Sequence, residues 1–278
     1  MAEAETGEAR AAEAGRGATE AAAAEATGKQ KGTEEAAGRP LVFLDFDGVI
    51  CDSLPECYAV SRAAYYGLYL GLPQPEEAQG DEALFRRLRP YIRRGGDYMF
   101  IQLALREGIE PGSQADFDAL IAERRELDDH FHGLFYQARH ELLSDEPERW
   151  YALNPLYPGM AALLSLYGRN DAFLILSTKE AAFIEKILAF NGIAWDAARV
   201  YCSGKEEKRA FIDRVMDERK AVHAIFIDDQ IDHFKGSSRH ELRCLLADWG
   251  YVRADWLKDR SVERVSLGQL DTLFSHSL

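Results

Sequence analysis

Two aspartates one residue apart, Asp45 and Asp47, follow the apolar run Leu41-Val42-Phe43-Leu44 and lead directly into Gly48 and Val49. An apolar run of this length fits a strand buried on both faces in a parallel sheet. The C-terminal end of such a strand is where open α/β sheets bind ligands. Alternation sends Asp45 and Asp47 to the same side of an extended chain. Two carboxylates there call for a cation, hydrogen-bond donors or a pairing partner. Three further short runs end in polar groups: Phe173–Leu176 in Ser177-Thr178-Lys179, Arg199–Cys202 in Lys205 and Lys208, and Ala224–Ile227 in Asp228-Asp229, with Asp232 three residues on. Carboxylates, hydroxyls and a lysine gathered at strand ends suit phosphoryl transfer through an aspartyl-phosphate. A divalent cation held by carboxylates lets an anionic nucleophile approach an anionic phosphate, and Mg²⁺ matches an all-oxygen set. Hydroxyl and lysine donors then hold the phosphoryl oxygens as charge shifts.

These groups converge only if the runs are neighbouring parallel strands. After Pro155 the chain alternates strand and helix: a strand over 172–176, a helix from about Lys179 to Phe190, a short strand over 199–202 and a helix from about Glu206 to Met216. Strands follow at 224–227 and 243–247, then a short segment at Val265 and a closing helix over about 267–274. That pattern predicts a parallel, Rossmann-like sheet with helices on both faces. Between the first strand and this region lie about 100 residues that read as helices, beginning at a cap formed by Ser53 with Pro55 and Glu56 in the first turn. The longest is expected from about Gln114 to Leu143, where Phe117, Leu120, Ile121, Leu127, Phe131, Leu134, Phe135, Ala138 and Leu142 recur at helical steps. The expected organisation is a catalytic core of residues 40–53 and 154–278, with an inserted α-helical domain at 54–153. Residues 1–39, rich in Ala, Glu, Gly and Thr and without Leu, Ile, Val or aromatics, read as a disordered tail.

With its motifs in order over residues 40–278, the chain resembles the haloacid dehalogenase-like (HAD) superfamily, in a phosphatase branch with a helical cap (phosphoglycolate phosphatase-like). Asp45-Phe46-Asp47-Gly48-Val49 resembles the first motif, D-x-D-G-[TV]. The resemblance implies that Asp45 is the nucleophile and Asp47 the general acid/base, with the Asp47 main-chain carbonyl on Mg²⁺. Ser177, with Thr178 beside it, is similar to the phosphate-binding second motif. Lys208 or Lys205 fills the third-motif role, and Lys208 is preferred because it opens a helix. Asp228-Asp229 resembles the fourth motif, which implies metal binding, with Asp229 as the direct ligand. Asp232 is expected to support the site without ligating. Asp248-Trp249-Gly250-Tyr251 resembles a loop of the family, and the insertion resembles its cap. The dehalogenases and phosphonate hydrolases of the superfamily lack the second aspartate, so Asp47 points to phosphate esters.

The expected activity is therefore Mg²⁺-dependent hydrolysis of a small phosphorylated metabolite. A sugar phosphomutase on the same scaffold and a non-catalytic binding or regulatory module are the rival readings. In the insertion, Arg93-Arg94-Gly95-Gly96 is either a substrate-selecting loop or a solvated turn, because paired guanidiniums suit anions. Arg86, Arg87 and Arg89 read as a solvated face; Asp128-Asp129-His130-Phe131-His132 has the composition of a metal cluster but reads as a surface patch, because helix neighbours one or two apart diverge; and His233, placed after the fourth-motif pair to border the site, reads in preference as a packed or solvated loop residue. Oligomeric state has no signature in the chain.

Composition narrows the classes. With 278 residues, 47% apolar content and a net charge of −14, the chain can bury a full core but has no basic face for nucleic acid. No run approaches a membrane span. The N-terminus resembles neither a secretory signal nor a transit peptide. Cys51, Cys57, Cys202 and Cys244 are scattered, which fits a reduced, cytoplasmic protein.

Overall fold

In a computed structural model of the chain, the described residues are 39–76, 80–204, 206–236, 238 and 240–276. Apart from Arg39, the expected tail lies outside them. Six strands form one parallel sheet: β1 (Leu41–Leu44), β2 (Phe173–Ser177), β3 (Val200–Cys202), β4 (His223–Asp228), β5 (Glu241–Ala247) and β6 (Arg264–Val265). Their order is β3-β2-β1-β4-β5-β6. The sheet grows outward from β1 through β2 to β3, then restarts on the other side with β4. The direction of winding therefore reverses between β1 and β4, which is the position where doubly wound sheets open a crevice. In register, Leu44 lies beside Ile175 of β2 and Ile227 of β4. Asp45, Ser177 and Asp228 consequently leave the sheet at one edge.

Alternation divides the strands between two apolar layers, which is why the runs read as continuously hydrophobic. Val42, Leu44, Ile175, Ile225 and Ile227 pack with Met160, Leu164, Ile184, Ile187, Leu270 and Phe274. These helix residues come from α7 (Met160–Tyr167), α8 (Ala181–Phe190) and α10 (Leu270–His276). On the other face Leu41, Phe43, Leu174, Leu176 and Phe226 pack with Phe211, Ile212, Val215 and Met216 of α9 (Lys208–Arg219).

Between β1 and β2 lie α1 (Leu54–Arg62), α2 (Asp81–Leu88), α3 (Asp97–Glu107), α4 (Gln114–Glu123), α5 (Asp128–Asp145) and α6 (Pro147–Ala152). Most of this segment closes on its own cluster, in which Phe85, Met99, Phe100, Phe117, Phe131 and Phe135 are fully buried. Two details depart from the sequence reading. The helix expected over Gln114–Leu143 is two helices, parted at Arg124 (φ −122°, ψ 29°) and a short 3₁₀ turn, Arg125–Leu127. The break puts Asp128 and Asp129 in the first turn of α5, where carboxylates interact favourably with the helix dipole. The other departure is at Ser53, whose side chain makes no capping bond. Instead the Leu54 N–H donates to Tyr251 Oη at 3.0 Å and to Asp52 Oδ1 at 3.3 Å. Among the described residues no helix is long and apolar enough to cross a membrane.

Candidate active site

Asp45, immediately after β1, and Asp228, at the end of β4, face one ammonium group. Lys208 Nζ, from the first turn of α9, lies 2.9 Å from Asp45 Oδ1 and 2.8 Å from Asp228 Oδ2, and all three residues are buried. The short helix after β3 thus delivers the lysine that the helix-opening argument prefers. Lys205 lies outside the described residues. His233 Nδ1 sits 2.8 Å from Asp228 Oδ2, and the Gln230 N–H donates to Asp228 Oδ1 at 2.8 Å. His233 therefore borders the site, the less favoured of the alternatives its sequence position offered. Burial pushes Asp228 up, but His233 and Lys208 more than offset it and hold the carboxyl far below its usual range. Asp45 is pushed up by burial, with Lys208 pulling down and Asp228 adding to the rise.

Asp229 stands on the other side of Gly48. It is pushed up to about 7 by burial; Arg89 pulls it down, and Asp228 and Asp45 push it up again. Gly48 has φ +91°, and a Cβ there would lie 2.1 Å from Asp229 Oδ2. Only glycine lets the loop after β1 pass so close to this carboxylate. The Trp249-Gly250-Tyr251 segment locks the same contact from behind. Trp249 Nε1 donates to the Val49 carbonyl at 3.1 Å, and the Tyr251 N–H donates to Asp229 Oδ2 at 2.8 Å. Tyr251 Oη donates to Asp52 Oδ1 at 2.7 Å. At Gly250 a Cβ would come within 2.5 Å of the Gly48 carbonyl. Every residue of that segment thus supports the first loop.

Asp47 lines the same cavity, with the buried Phe46 turned into the sheet core between the two aspartates. Its partner is Lys179, whose Nζ lies 2.7 Å from Asp47 Oδ1. Burial raises the Asp47 carboxyl, but the Lys179 ammonium more than offsets this and holds it below its ordinary value. Ser177 is buried at the end of β2, its Oγ accepting from the Lys179 N–H at 3.3 Å, and Thr178 lines the cavity beside it. Sequence reasoning placed Lys179 at this strand end without giving it a role. Its signal was a cation two residues beyond the expected phosphate-binding hydroxyl.

No family model and no curated protein matches this sequence. Solved structures do. The chain is similar to a predicted phosphatase from Clostridium acetobutylicum at 17% identity and a TM-score of 0.55, covering 86% of this chain and 99% of that one. It is also similar to a haloacid dehalogenase-like family hydrolase from Streptococcus pneumoniae, at 16% identity and a TM-score of 0.52 over 86% of this chain and 99% of that one. A third is a predicted phosphoglycolate phosphatase from Haemophilus somnus, at 14% identity and a TM-score of 0.53 over 84% of this chain and 97% of that one. The chain has the haloacid dehalogenase-like fold.

Within this fold the helical segment forms the far wall of a cavity of about 50 Å³, contributing Cys57, Arg89, Arg93, Arg94, Tyr98, Tyr136 and Arg139. Arg93 and Arg94 do line it, but both guanidiniums are committed. Arg93 donates to the Pro90 and Ile92 carbonyls and to Gln114 Oε1 at 2.9, 3.1 and 2.7 Å, and it also pairs with Asp232. Arg94 pairs with Asp128 and lies 3.5 Å from Asp97. Asp232 therefore ties the helical segment to the loop after β4. Arg139 makes a bidentate pair with buried Glu56 at 2.7 and 2.8 Å, and Trp150 Nε1 donates to the same carboxylate at 3.2 Å. Arg86 and Arg87 are exposed, as expected for a solvated face. Arg89 departs from that reading: it is 7% exposed and lines the cavity. Arg89 keeps helical dihedrals (φ −51°, ψ −40°) and falls four residues after the buried Phe85, so it lies on the face that Phe85 and Leu88 bury, away from Arg86 and Arg87.

Proposed function

We propose that this protein is a phosphomonoester phosphatase that works through a covalent phospho-Asp45. The observation that carries the reading is the division of labour at Asp45. Lys208 and the Phe46 N–H both engage Oδ1, at 2.9 and 2.7 Å. Among the described residues nothing hydrogen-bonds Oδ2, and this oxygen attacks phosphorus as the ester P–O bond breaks. Asp47, ionised at rest, takes up a proton as the phosphate ester enters and gives it to the leaving oxygen. Water then attacks the aspartyl-phosphate, Asp47 takes its proton, and Asp45 is regenerated with release of inorganic phosphate. The resting, ionised Asp47 suits that second half. Ser177 and Thr178 hold phosphoryl oxygens, and Lys208 keeps Asp45 oriented.

The donor set fits Mg²⁺. Asp45, Asp228 and Asp229 are enclosed together, and burial and mutual repulsion raise two of them. Crowded carboxylates with this electrostatic conflict are the site a hard cation relieves. Asp45, Asp229 and the Asp47 main-chain carbonyl would hold it, with Asp228 in support. Mg²⁺ there would neutralise the charge that otherwise repels the phosphate. The segment 54–153 acts as a cap that excludes water while Asp45 is phosphorylated. A cavity of about 50 Å³ suits a small phosphorylated metabolite.

Rapid quench of wild-type protein with p-nitrophenyl phosphate and Mg²⁺ is the test. One phosphoryl group on Asp45 by peptide mass is the expected result. Asp45→Asn is expected to lose turnover by roughly 10⁴-fold or more. Appreciable activity in that variant, or hydrolysis without a phosphorylated Asp45, overturns the mechanism.

A further inference from the structure

Helix α7 carries no charge on any side. From Trp150 to Gly168 there is no charged residue, although charged residues make up 29% of the chain. Met160, Leu164 and Tyr167 turn inward and are buried. On the opposite side Ala162, Ser165 and Leu166 are exposed. Leu166 is 66% exposed, more than any other large apolar side chain among the described residues. A surface helix normally presents polar residues to water, and one that is apolar all round is normally covered on both sides. Here only one side is covered.

Beside Leu166 lies an apolar recess of about 550 Å³, walled by Pro158, Gly159 and Leu163 at the start of α7 and by Leu267 and Gly268 ahead of α10. A Cβ added at Gly159 or Gly268 would meet nothing within 4 Å, so both glycines leave room for an incoming side chain. Among the described residues Asp271 alone brings a charge to this recess, and its Oδ1 accepts from Tyr167 Oη at 2.7 Å. A projecting leucine and a recess able to take one thus share a single, nearly neutral surface.

Net charge selects what covers it. Each copy of the chain carries −14, so two copies repel wherever their charged faces meet. Contact between copies must fall where the surface is uncharged, and the α7 face meets that condition. A basic partner would gain nothing there and would be drawn to acidic faces instead. Projection and recess on one face are also what a two-fold contact requires, because each copy must offer both halves. We propose that the protein pairs with a second copy of itself through α7, Leu166 of each copy seating in the recess between α7 and α10 of the other. Among the described residues none of this face lines the cavity beside Asp45, so the pairing stands or falls independently of the phosphatase reading.

Sedimentation velocity of the full chain over about 1–100 µM is expected to show monomer converting to dimer. Leu166→Glu should weaken the dimer by about 30-fold or more, Gly268→Glu should do the same by filling the recess, and Leu166→Met should retain it. Raising salt from about 50 to about 500 mM should tighten the dimer, since it screens the repulsion between the two net charges and spares an apolar contact. Circular dichroism melts would establish that each variant folds. A monomer throughout the range overturns the proposal. So does a dimer that both glutamate variants leave intact, or one that salt loosens, which would place the contact on ion pairs elsewhere. Flotation with phosphatidylcholine vesicles that is lost in Leu166→Glu would give the face to a lipid surface and overturn it as well.

Discussion

Lys179 holds Asp47 through a 2.7 Å contact between Nζ and Oδ1, and the lysine is 3% exposed. The two residues come from different strand ends, so the pair exists only because β1 and β2 are neighbours in register. Replacing Lys179 with Met is expected to lower kcat by about 10²-fold or more, since Asp47, the proposed proton carrier, loses the group that positions it. Stability should fall by roughly 3 kcal/mol, because Asp47 keeps a buried charge without its partner. Adding Asp47→Asn to Lys179→Met is expected to recover much of that stability and none of the rate. Urea denaturation and steady-state kinetics on the two variants check both statements.

Metal affinity should depend on pH near neutrality. Asp229 is raised to about 7, so below that pH its carboxyl carries a proton that Mg²⁺ at the proposed site would displace. Apparent affinity is expected to weaken by up to about tenfold per pH unit below 7 and to level off above 8. Titration calorimetry in buffers of different ionisation enthalpy should detect a released proton at pH 6 and little at pH 8.5. The same shift makes the metal-free fold less stable as pH rises from the unfolded value of 3.8 toward 7, because the folded state gives up this proton less readily. Mg²⁺ should raise the melting temperature more at pH 8 than at pH 5.5.

Glu56 and Arg139 join α1 to α5 beneath the cavity. Burial raises the Glu56 carboxyl, but Arg139 more than offsets it, and the group ends below its ordinary 4.5. Its contribution to stability is therefore present above pH 4.5 and is lost as pH falls through the lower folded value. Glu56→Gln at neutral pH is expected to cost about 3–5 kcal/mol by leaving Arg139 charged and unpaired. Combining Glu56→Leu with Arg139→Met should be milder than Glu56→Gln alone. Equilibrium denaturation of the three proteins decides this.

Gly48→Ala should damage the proposed metal site before the fold. The new Cβ would meet Asp229 Oδ2 at 2.1 Å and the Tyr251 ring at 2.9 Å, at a φ of +91° that L residues rarely adopt. A cost of about 1–3 kcal/mol is expected from the backbone alone. Mg²⁺-induced stabilisation should largely disappear even at temperatures where circular dichroism still reports a folded protein.

Much of the core was legible in the chain. A strand buried on both faces leaves an unbroken apolar run, and at the end of each run a polar residue stands out. Asp45, Asp47, Ser177 and Asp228-Asp229 were found this way, and Lys208 followed from its place at a helix start. Periodicity over 114–143 was equally clear, yet it could not show the break at Arg124, because an apolar stripe continues across a kink. The inward place of Arg89 was legible in the same periodicity. Arg86 and Arg87 are solvated, but Arg89 stands four residues after Phe85, on the face that Phe85 and Leu88 bury, which grouping the three arginines together overlooked.

By itself, then, the sequence determined which residues end each strand, since burial and alternation are local properties written in side-chain types. The tertiary structure alone decided which of those ends meet. Lys179 met Asp47 and Lys208 met both Asp45 and Asp228 through strand order and register. Of the four arginines in the cavity, Arg93 meets Asp232 across 139 residues of chain and Arg139 meets Glu56 across 83, while no ion pair reaches Arg89 among the described residues. Charge pairing of that kind depends on distances in space, and no local pattern encodes them.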